Sequence, residues 1–224
     1  MSSSTTEHRA RLAVLISGAG SNMLAIAQAC ATGQVPADIA LVLADVPEAA
    51  GVQRARSLGL TARVLDRRGF MRDGVADRQA FEAALASAID ASGADYIVLA
   101  GFMRVLSAAF VRRYTGRMLN IHPSLLPRHK GLDTHARALA AGDAEHGASV
   151  HFVTAELDGG PLVAQAVVPV LAGDEVAGLS GRVHAREHML YPMVIEWLVR
   201  GRLLWNGGNP TLDGVPLAAP VRIS

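Results

Sequence analysis

Leu12-Ala-Val-Leu-Ile-Ser-Gly-Ala-Gly-Ser-Asn22 decides the fold. An apolar run, Leu12–Ile16, gives way to a glycine turn over Gly18–Ser21 and then to a segment of helical period, Asn22–Ala31. A short apolar run without polar alternation is the pattern of a strand buried on both faces. A strand that feeds a helix through glycines opens a parallel α/β sheet. Working outward, the rhythm repeats, with strands predicted over Ile39–Ala44, Ala62–Leu65 and Tyr96–Ala100 and helices over Ala49–Leu58 and Gln79–Asp90. Further on it loosens. Arg117–His122 reads as a strand cut off by Pro123, Pro123–Leu132 as a loop and Thr134–Ala141 as a short helix. Ala148–Val153 and Leu162–Val168 alternate like strands on either side of a Glu156–Pro161 turn, and Val176–Val199 is helical, with Pro192 expected to bend it. The fold class that follows is α/β: a single domain with a mostly parallel open sheet and an antiparallel extension in its second half. We divide the chain into a flexible N-terminal tail (1–11), the folded domain (12–205) and a C-terminal tail or hairpin (206–224).

The 224 residues carry 21 Lys and Arg against 20 Asp and Glu, too even a balance for a chain whose main task is gripping nucleic acid or an anionic membrane. Half of the residues are hydrophobic, enough for one good-sized core. The single cysteine, Cys30, excludes an internal disulfide, fits a reducing compartment and reads as a small core residue. Met1–Glu7 lacks the basic start and apolar stretch of a signal peptide. The expectation is a cytoplasmic protein that works on small molecules, as a monomer or homodimer.

Two places carry chemistry. At Gly18–Asn22 the unpaired amides of a helix start face outward, and Gly20, the Ser21 hydroxyl and the Asn22 amide suit a phosphate monoester. The other readings are a ligand-free turn, or a dinucleotide site with Asp45 as ribose acceptor. The dinucleotide fingerprint wants a third glycine where Met23 stands. In Met118-Leu-Asn-Ile-His-Pro-Ser-Leu-Leu-Pro127, Asn120 and His122 lie two apart on a strand and share a face at its carboxyl end. Asp158, in Glu156-Leu-Asp-Gly-Gly-Pro161, stands in a tight turn that leaves its carboxylate free to reach them. Acyl transfer to an amine needs a donor for the developing oxyanion and a proton shuttle, roles open to Asn120 and to a His122 whose charged form Asp158 favours. A capped turn or a satisfied core pair is the alternative. His122, His129 and His135 lack the short spacing of a zinc site. His184 and His188 share a helix face without a third ligand, so no metal is expected. By spacing alone Glu187 is a surface helix residue.

The blocks Leu15–Asn22, Leu99–Ser107, Leu119–Pro127, His146–Val153 and Glu156–Pro161 together resemble the folate-dependent formyltransferases, over about Leu12 to Leu204. The Gly-Ser-Asn loop points, within that family, to its glycinamide ribonucleotide transformylases. The resemblance implies a Rossmann-like formyltransferase fold and transfer of a formyl group from 10-formyltetrahydrofolate, as cosubstrate, to the amine of glycinamide ribonucleotide in purine biosynthesis. It implies Asn120, His122 and Asp158 as the catalytic trio and Gly20, Ser21 and Asn22 as the phosphate site. It places His184, Ala185, Arg186 and Glu187 at the amine substrate. It sets Arg78, Met103, Arg104, Val105, Leu106, Asn120, Thr154, Ala155, Glu156, Leu157 and Asp158 at the folate, with Arg78 at its acidic tail. The chain departs from the family at Ala19, where Asn is common, and at Ala44-Asp45, where Ser-Asn is frequent. Rivals within the class are an amino-sugar formyltransferase and a 10-formyltetrahydrofolate hydrolase. A tRNA formyltransferase would be expected to add a C-terminal nucleic-acid domain and a basic balance. A nucleotide-binding module without chemistry would leave the trio unexplained.

Overall fold

In a computed structural model that describes residues 9–223, β1 (Ala10–Ile16) runs through the middle of an eight-stranded sheet, buried from Leu12 onward. From β1 the chain passes through α1 (Ser21–Ala31), β2 (Ala37–Ala44), α2 (Ala50–Ser57) and β3 (Ala62–Val64), building outward on one side. A small hairpin, β4 (Met71–Arg72) and β5 (Val75–Ala76), and α3 (Arg78–Ser92) then carry it back across β1. On the far side follow β6 (Tyr96–Leu99), α4 (Ala108–Arg113) and β7 (Met118–His122). After α5 (Thr134–Ala140) come β8 (Glu145–Phe152), β9 (Leu162–Pro169) and the long α6 (Val176–Val199). A separate antiparallel sheet of β10 (Leu203–Asn206), β11 (Asn209–Leu212) and β12 (Val215–Pro216) precedes β13 (Val221–Ile223), which returns to the main sheet. The order is β13-β9-β8-β7-β6-β1-β2-β3, and only β8 runs against the rest.

Two apolar layers cover the sheet. α1 contributes Met23, Ile26 and Cys30 to one layer, and α6 contributes Leu179, Val183, Tyr191 and Val194; α3 sends Phe81, Leu85 and Ile89 into the other. The Tyr191 hydroxyl, fully buried, lies 3.0 Å from the carbonyls of both Leu99 and Leu119 and ties α6 to the end of β6 and to β7 beside Asn120. Burial pushes the Cys30 thiol up to about 11, as befits an inert core residue. Strand order reverses between β1 and β6, where open sheets hold their ligands. There Ser17 N donates to Gly101 O (3.0 Å), and Met103 N donates to Ser17 Oγ (2.8 Å), so two connections close the floor of the crevice together.

Several expectations change. Ala10 and Arg11, assigned to the tail, are strand: Arg11 N donates to Asp95 Oδ2 (2.8 Å) and its guanidinium to Ser92 O (2.7 Å). The rest of the tail reading, residues 1–8, lies outside the described residues. α6 is helical on both sides of Pro192 as expected, and Pro192 is buried. The C-terminal hairpin acquires a third strand, and Val221–Ile223 goes on to pair in parallel with β9. α4 escaped the sequence reading because it is six residues long; Ser107 Oγ caps it by accepting from Phe110 N (3.2 Å). Among the described residues no helix is long and apolar enough to cross a membrane.

Candidate active site

β7 pairs with β6 on one side and β8 on the other, which sets Asn120 opposite His151 and His122 opposite Ser149. Leu119 and Ile121 face the core, so Asn120 and His122 look out at the strand's carboxyl end. His122 is buried, with Nδ1 3.4 Å from Asp158 Oδ2 and Nε2 3.0 Å from the His129 carbonyl. Both ring nitrogens thus face oxygen acceptors. Asp158 adopts the left-handed region (φ 47°), which Asp tolerates better than most side chains, and its Oδ2 also accepts from Gly131 N (2.9 Å).

His151 is the residue that sequence reasoning left without a role. Its Nδ1 donates to Phe152 O (2.9 Å), so the bare Nε2 accepts an N–H from Asn120 Nδ2 (3.1 Å). Burial pushes its pKa down and keeps it neutral. One amide hydrogen of Asn120 is thereby fixed on His151 and the other is left for a ligand. The available signal was alternation: Ser149 and His151 lie two apart on the strand antiparallel to the Asn120–His122 face.

The loop after β7 is stapled at several points. Leu126 N donates to Ser149 Oγ (3.0 Å), Gln165 Nε2 to Leu126 O (2.8 Å) and Ser124 Oγ to Arg128 O (2.7 Å). His129 (φ 53°) pairs through Nε2 with Asp143 Oδ2 at 2.7 Å, and Arg128 meets the same carboxylate at 2.9 Å. Histidines distant in sequence gather behind this loop. His135 Nδ1 lies 3.0 Å from Nε2 of buried His146, whose ring also faces His129. Burial first, then the neighbouring His135 and His129, push His146 down to about 4. Among the described residues no three His, Cys, Asp or Glu side chains group to hold a metal.

One open cleft gathers most of the residues expected at the folate: Arg104, Val105, Leu106, Asn120 and Thr154 through Asp158, with Phe102, Val111 and Val153 among its apolar walls. Met103 stands at the rim, 68% exposed. Arg78 lies outside the lining but clamps its wall, donating through Nη2 to Val105 O (2.7 Å) while Nε meets Glu82 (2.9 Å). The remaining expected residues lie at the start of α1 and on α6. Gly20 is the left-handed N-cap of α1 (φ 73°) with no side-chain cap, and the helical ladder begins only with Leu24 N donating to Gly20 O. The Ser21, Asn22 and Met23 amides are therefore those of an open helix start. Two expectations are corrected. The Asn22 side-chain amide does not point to an anion but donates to Glu187 Oε2 (2.8 Å). Glu187 is not on the surface but 3% exposed, a carboxylate that needs such a donor; burial pushes its pKa up. His184 and Ala185 are exposed and Arg186 is half-buried beside it.

Known proteins carry the same architecture. The family described as formyl transferase matches residues 10–195. A phosphoribosylglycinamide formyltransferase of Escherichia coli (strain K12) is 48% identical over 91% of this chain and 93% of its own length. The human trifunctional purine biosynthetic protein adenosine-3 is 39% identical over 86% of this chain, which spans 19% of that larger protein. Among solved structures, the phosphoribosylglycinamide formyltransferase of Coxiella burnetii superimposes with a TM-score of 0.90 at 43% identity, over 96% of this chain and all of that one.

Proposed function

The chain belongs to the phosphoribosylglycinamide formyltransferases of the formyl transferase family, and from that premise we propose which of its residues move the formyl group. The reaction carries the formyl group of 10-formyltetrahydrofolate to the amine of glycinamide ribonucleotide, a step of purine biosynthesis. The observation that carries the residue assignment is the constellation at the end of β7: Asn120 fixed by His151, and His122 between the Asp158 carboxylate and the His129 carbonyl.

The folate lies in the cleft between the 102–106 and 153–158 segments, its acidic tail toward Arg78. The ribonucleotide phosphate sits on the open amides of Gly20, Ser21 and Asn22, where the helix dipole favours an anion. Glu187, flanked by His184, Ala185 and Arg186, receives the amine through a charge-assisted hydrogen bond. The amine lone pair attacks the formyl carbon and the carbonyl electrons move onto oxygen. The free N–H of Asn120 and the Nε2–H of His122, released from the His129 carbonyl, receive that oxyanion. The carbon–N10 bond then breaks. N10 takes the proton of His122, and the imidazole recovers one from the attacking nitrogen, leaving the formamide and tetrahydrofolate. Asp158 holds Nδ1 and steadies the positive charge. No nucleophilic side chain is needed. The protein is proposed to work in the cytoplasm on small molecules, as a monomer or homodimer, with no nucleic-acid or membrane partner.

The test is turnover of 10-formyltetrahydrofolate with glycinamide ribonucleotide. Formylated ribonucleotide and tetrahydrofolate should form only when both substrates are present, and should be lost in His122→Ala. Folate deformylation without the ribonucleotide would make the protein a hydrolase. Folate binding without turnover would require another amine acceptor.

A further inference from the structure

A phosphate monoester brings close to two negative charges at neutral pH, whereas a helix start offers the equivalent of about half a positive one. A side-chain cation beside the Gly18–Asn22 loop would balance the remaining charge, and none of the residues assigned to the phosphate supplies one. α2 does. Its first turn is pressed against the loop: Gly51 N donates to Gly18 O (3.0 Å), and a Cβ built on Gly51 would come within 2.5 Å of Ile16 Cδ1 and 3.2 Å of Gly20 Cα. Loop and helix thus share one rigid seat with no room for a side chain between them. One turn on, Arg54 lies along the same seat and donates through Nη1 to the Ala19 carbonyl (3.2 Å). It forms no ion pair with a carboxylate among the described residues. The Arg68 guanidinium farther along the chain, by contrast, is taken up by Asp66 and Glu48. A second observation at the helix start points to a ligand that carries a donor beside its phosphate, as a ribonucleotide does in its hydroxyls and amine. Asn22 is 8% exposed, its Nδ2 is committed to Glu187, and its Oδ1 has no partner.

We propose that Arg54 is the phosphate-binding cation of the ribonucleotide subsite, anchored to the loop through Ala19 and presenting its remaining N–H groups to the phosphate oxygens. The inference rests on the reading of Gly20, Ser21 and Asn22 as the phosphate site and adds to it the charge that distinguishes a nucleotide from its nucleoside. A guanidinium suits the task because its planar fork meets two phosphate oxygens at once and stays charged at every working pH.

The experiment compares the full chain with Arg54→Ala and Arg54→Lys on glycinamide ribonucleotide and on the dephosphorylated ribonucleoside, with the KM for 10-formyltetrahydrofolate as internal control. Arg54→Ala should raise the ribonucleotide KM by about 10- to 100-fold with kcat nearly kept, and should weaken the rise of that KM with added salt. Arg54→Lys should recover part of the loss. Neither variant should change the kinetics of the ribonucleoside or the folate KM. A ribonucleotide KM within about twofold of the parent in Arg54→Ala overturns the proposal. So does an equal loss on nucleotide and nucleoside, which would make Arg54 a brace for the loop. A parent enzyme that handles nucleotide and nucleoside alike would instead overturn the phosphate reading of the loop itself.

Discussion

Gly160→Ala should cripple formyl transfer while its neighbour Gly159→Ala does not. The two glycines follow Asp158 in the turn between β8 and β9, and neither has a left-handed φ, so backbone preference does not separate them. Space does. A Cβ on Gly160 would stand 1.8 Å from the Phe152 carbonyl oxygen and 2.9 Å from its carbon, both fixed backbone of β8. To regain even a 3.0 Å contact the turn must retreat by about 1.2 Å, and nothing flexible is there to yield. Asp158, two residues away, holds His122 across 3.4 Å and Gly131 N across 2.9 Å, and the same Phe152 carbonyl accepts from His151. An ångström of misplacement in such an array costs on the order of 100-fold in rate, and overpacking adds about 1–3 kcal/mol of destabilisation. On Gly159 the obstacle is the Glu156 side chain, 2.2 Å away at its carboxyl carbon, a largely exposed flexible side chain held by a surface ion pair with Lys130 and able to yield. Steady-state kcat/KM should therefore fall by about two orders of magnitude in Gly160→Ala and by less than about threefold in Gly159→Ala, with thermal melts confirming that both remain folded. Parent-like turnover in Gly160→Ala would show that the Asp158–His122 distance does not limit the rate. Equal losses in both would show that the turn as a whole, not the Phe152 contact, is sensitive.

Three further outcomes can be measured directly. Asp158→Asn, which keeps shape and removes charge, should lower kcat by about 100-fold or more with little change in either KM; a parent-like kcat would strip Asp158 of its assigned role. His151→Phe removes the acceptor that fixes Asn120 and should cost about ten- to 100-fold in kcat with the ribonucleotide KM unchanged, while His151→Gln restores part of it; an effect on KM alone would place His151 in binding. His146 is held near 4 in the folded chain but titrates near 6.5 when unfolded, so between those values the unfolded chain binds more protons. Its neutral burial therefore becomes a growing liability as pH falls from about 6.5 toward 4, by at most about 3 kcal/mol. Urea melts of His146→Gln should show a flatter fall in stability from pH 7 to pH 5 than the parent; identical slopes would refute the assignment.

The parts legible in the sequence are those decided by neighbours a few residues apart. The Leu12–Ile16 run is buried on both faces because its register between β2 and β6 leaves no polar side. Asn120 and His122 emerge together because a strand alternates. What stayed hidden depends on residues brought from far along the chain. His151 orients Asn120 across 31 residues, through a ladder register that no local pattern specifies. Glu187 leaves the surface only because α6 packs against α1 and finds Asn22, 165 residues away. β13 is three residues of ordinary strand propensity, and the open edge of β9 decides where it pairs. The hairpin over 71–76 turns on Asp73 and Gly74, which both take a positive φ, and its two-residue strands are too short to carry a hydrophobic period that a sequence reading could find.

The Asn22–Glu187 contact has a consequence for how a nucleotide is read. On the proposed assignment Asn22 belongs to two subsites at once, its backbone amide at the open start of α1 and its side chain on the Glu187 carboxylate. α1 is in turn seated against α2 through the Gly18–Gly51 contact, and α6 is pinned to β6 and β7 by the Tyr191 hydroxyl. On that assignment the phosphate end and the amine end of the substrate rest on one continuous, buried framework that also holds β7 next to Asn120. Buried packing joins the two places and holds them at a fixed spacing. On the proposed assignment burial of Glu187 has a use: a surface carboxylate could attract an amine equally well, but it could not hold it at a fixed distance from the formyl group.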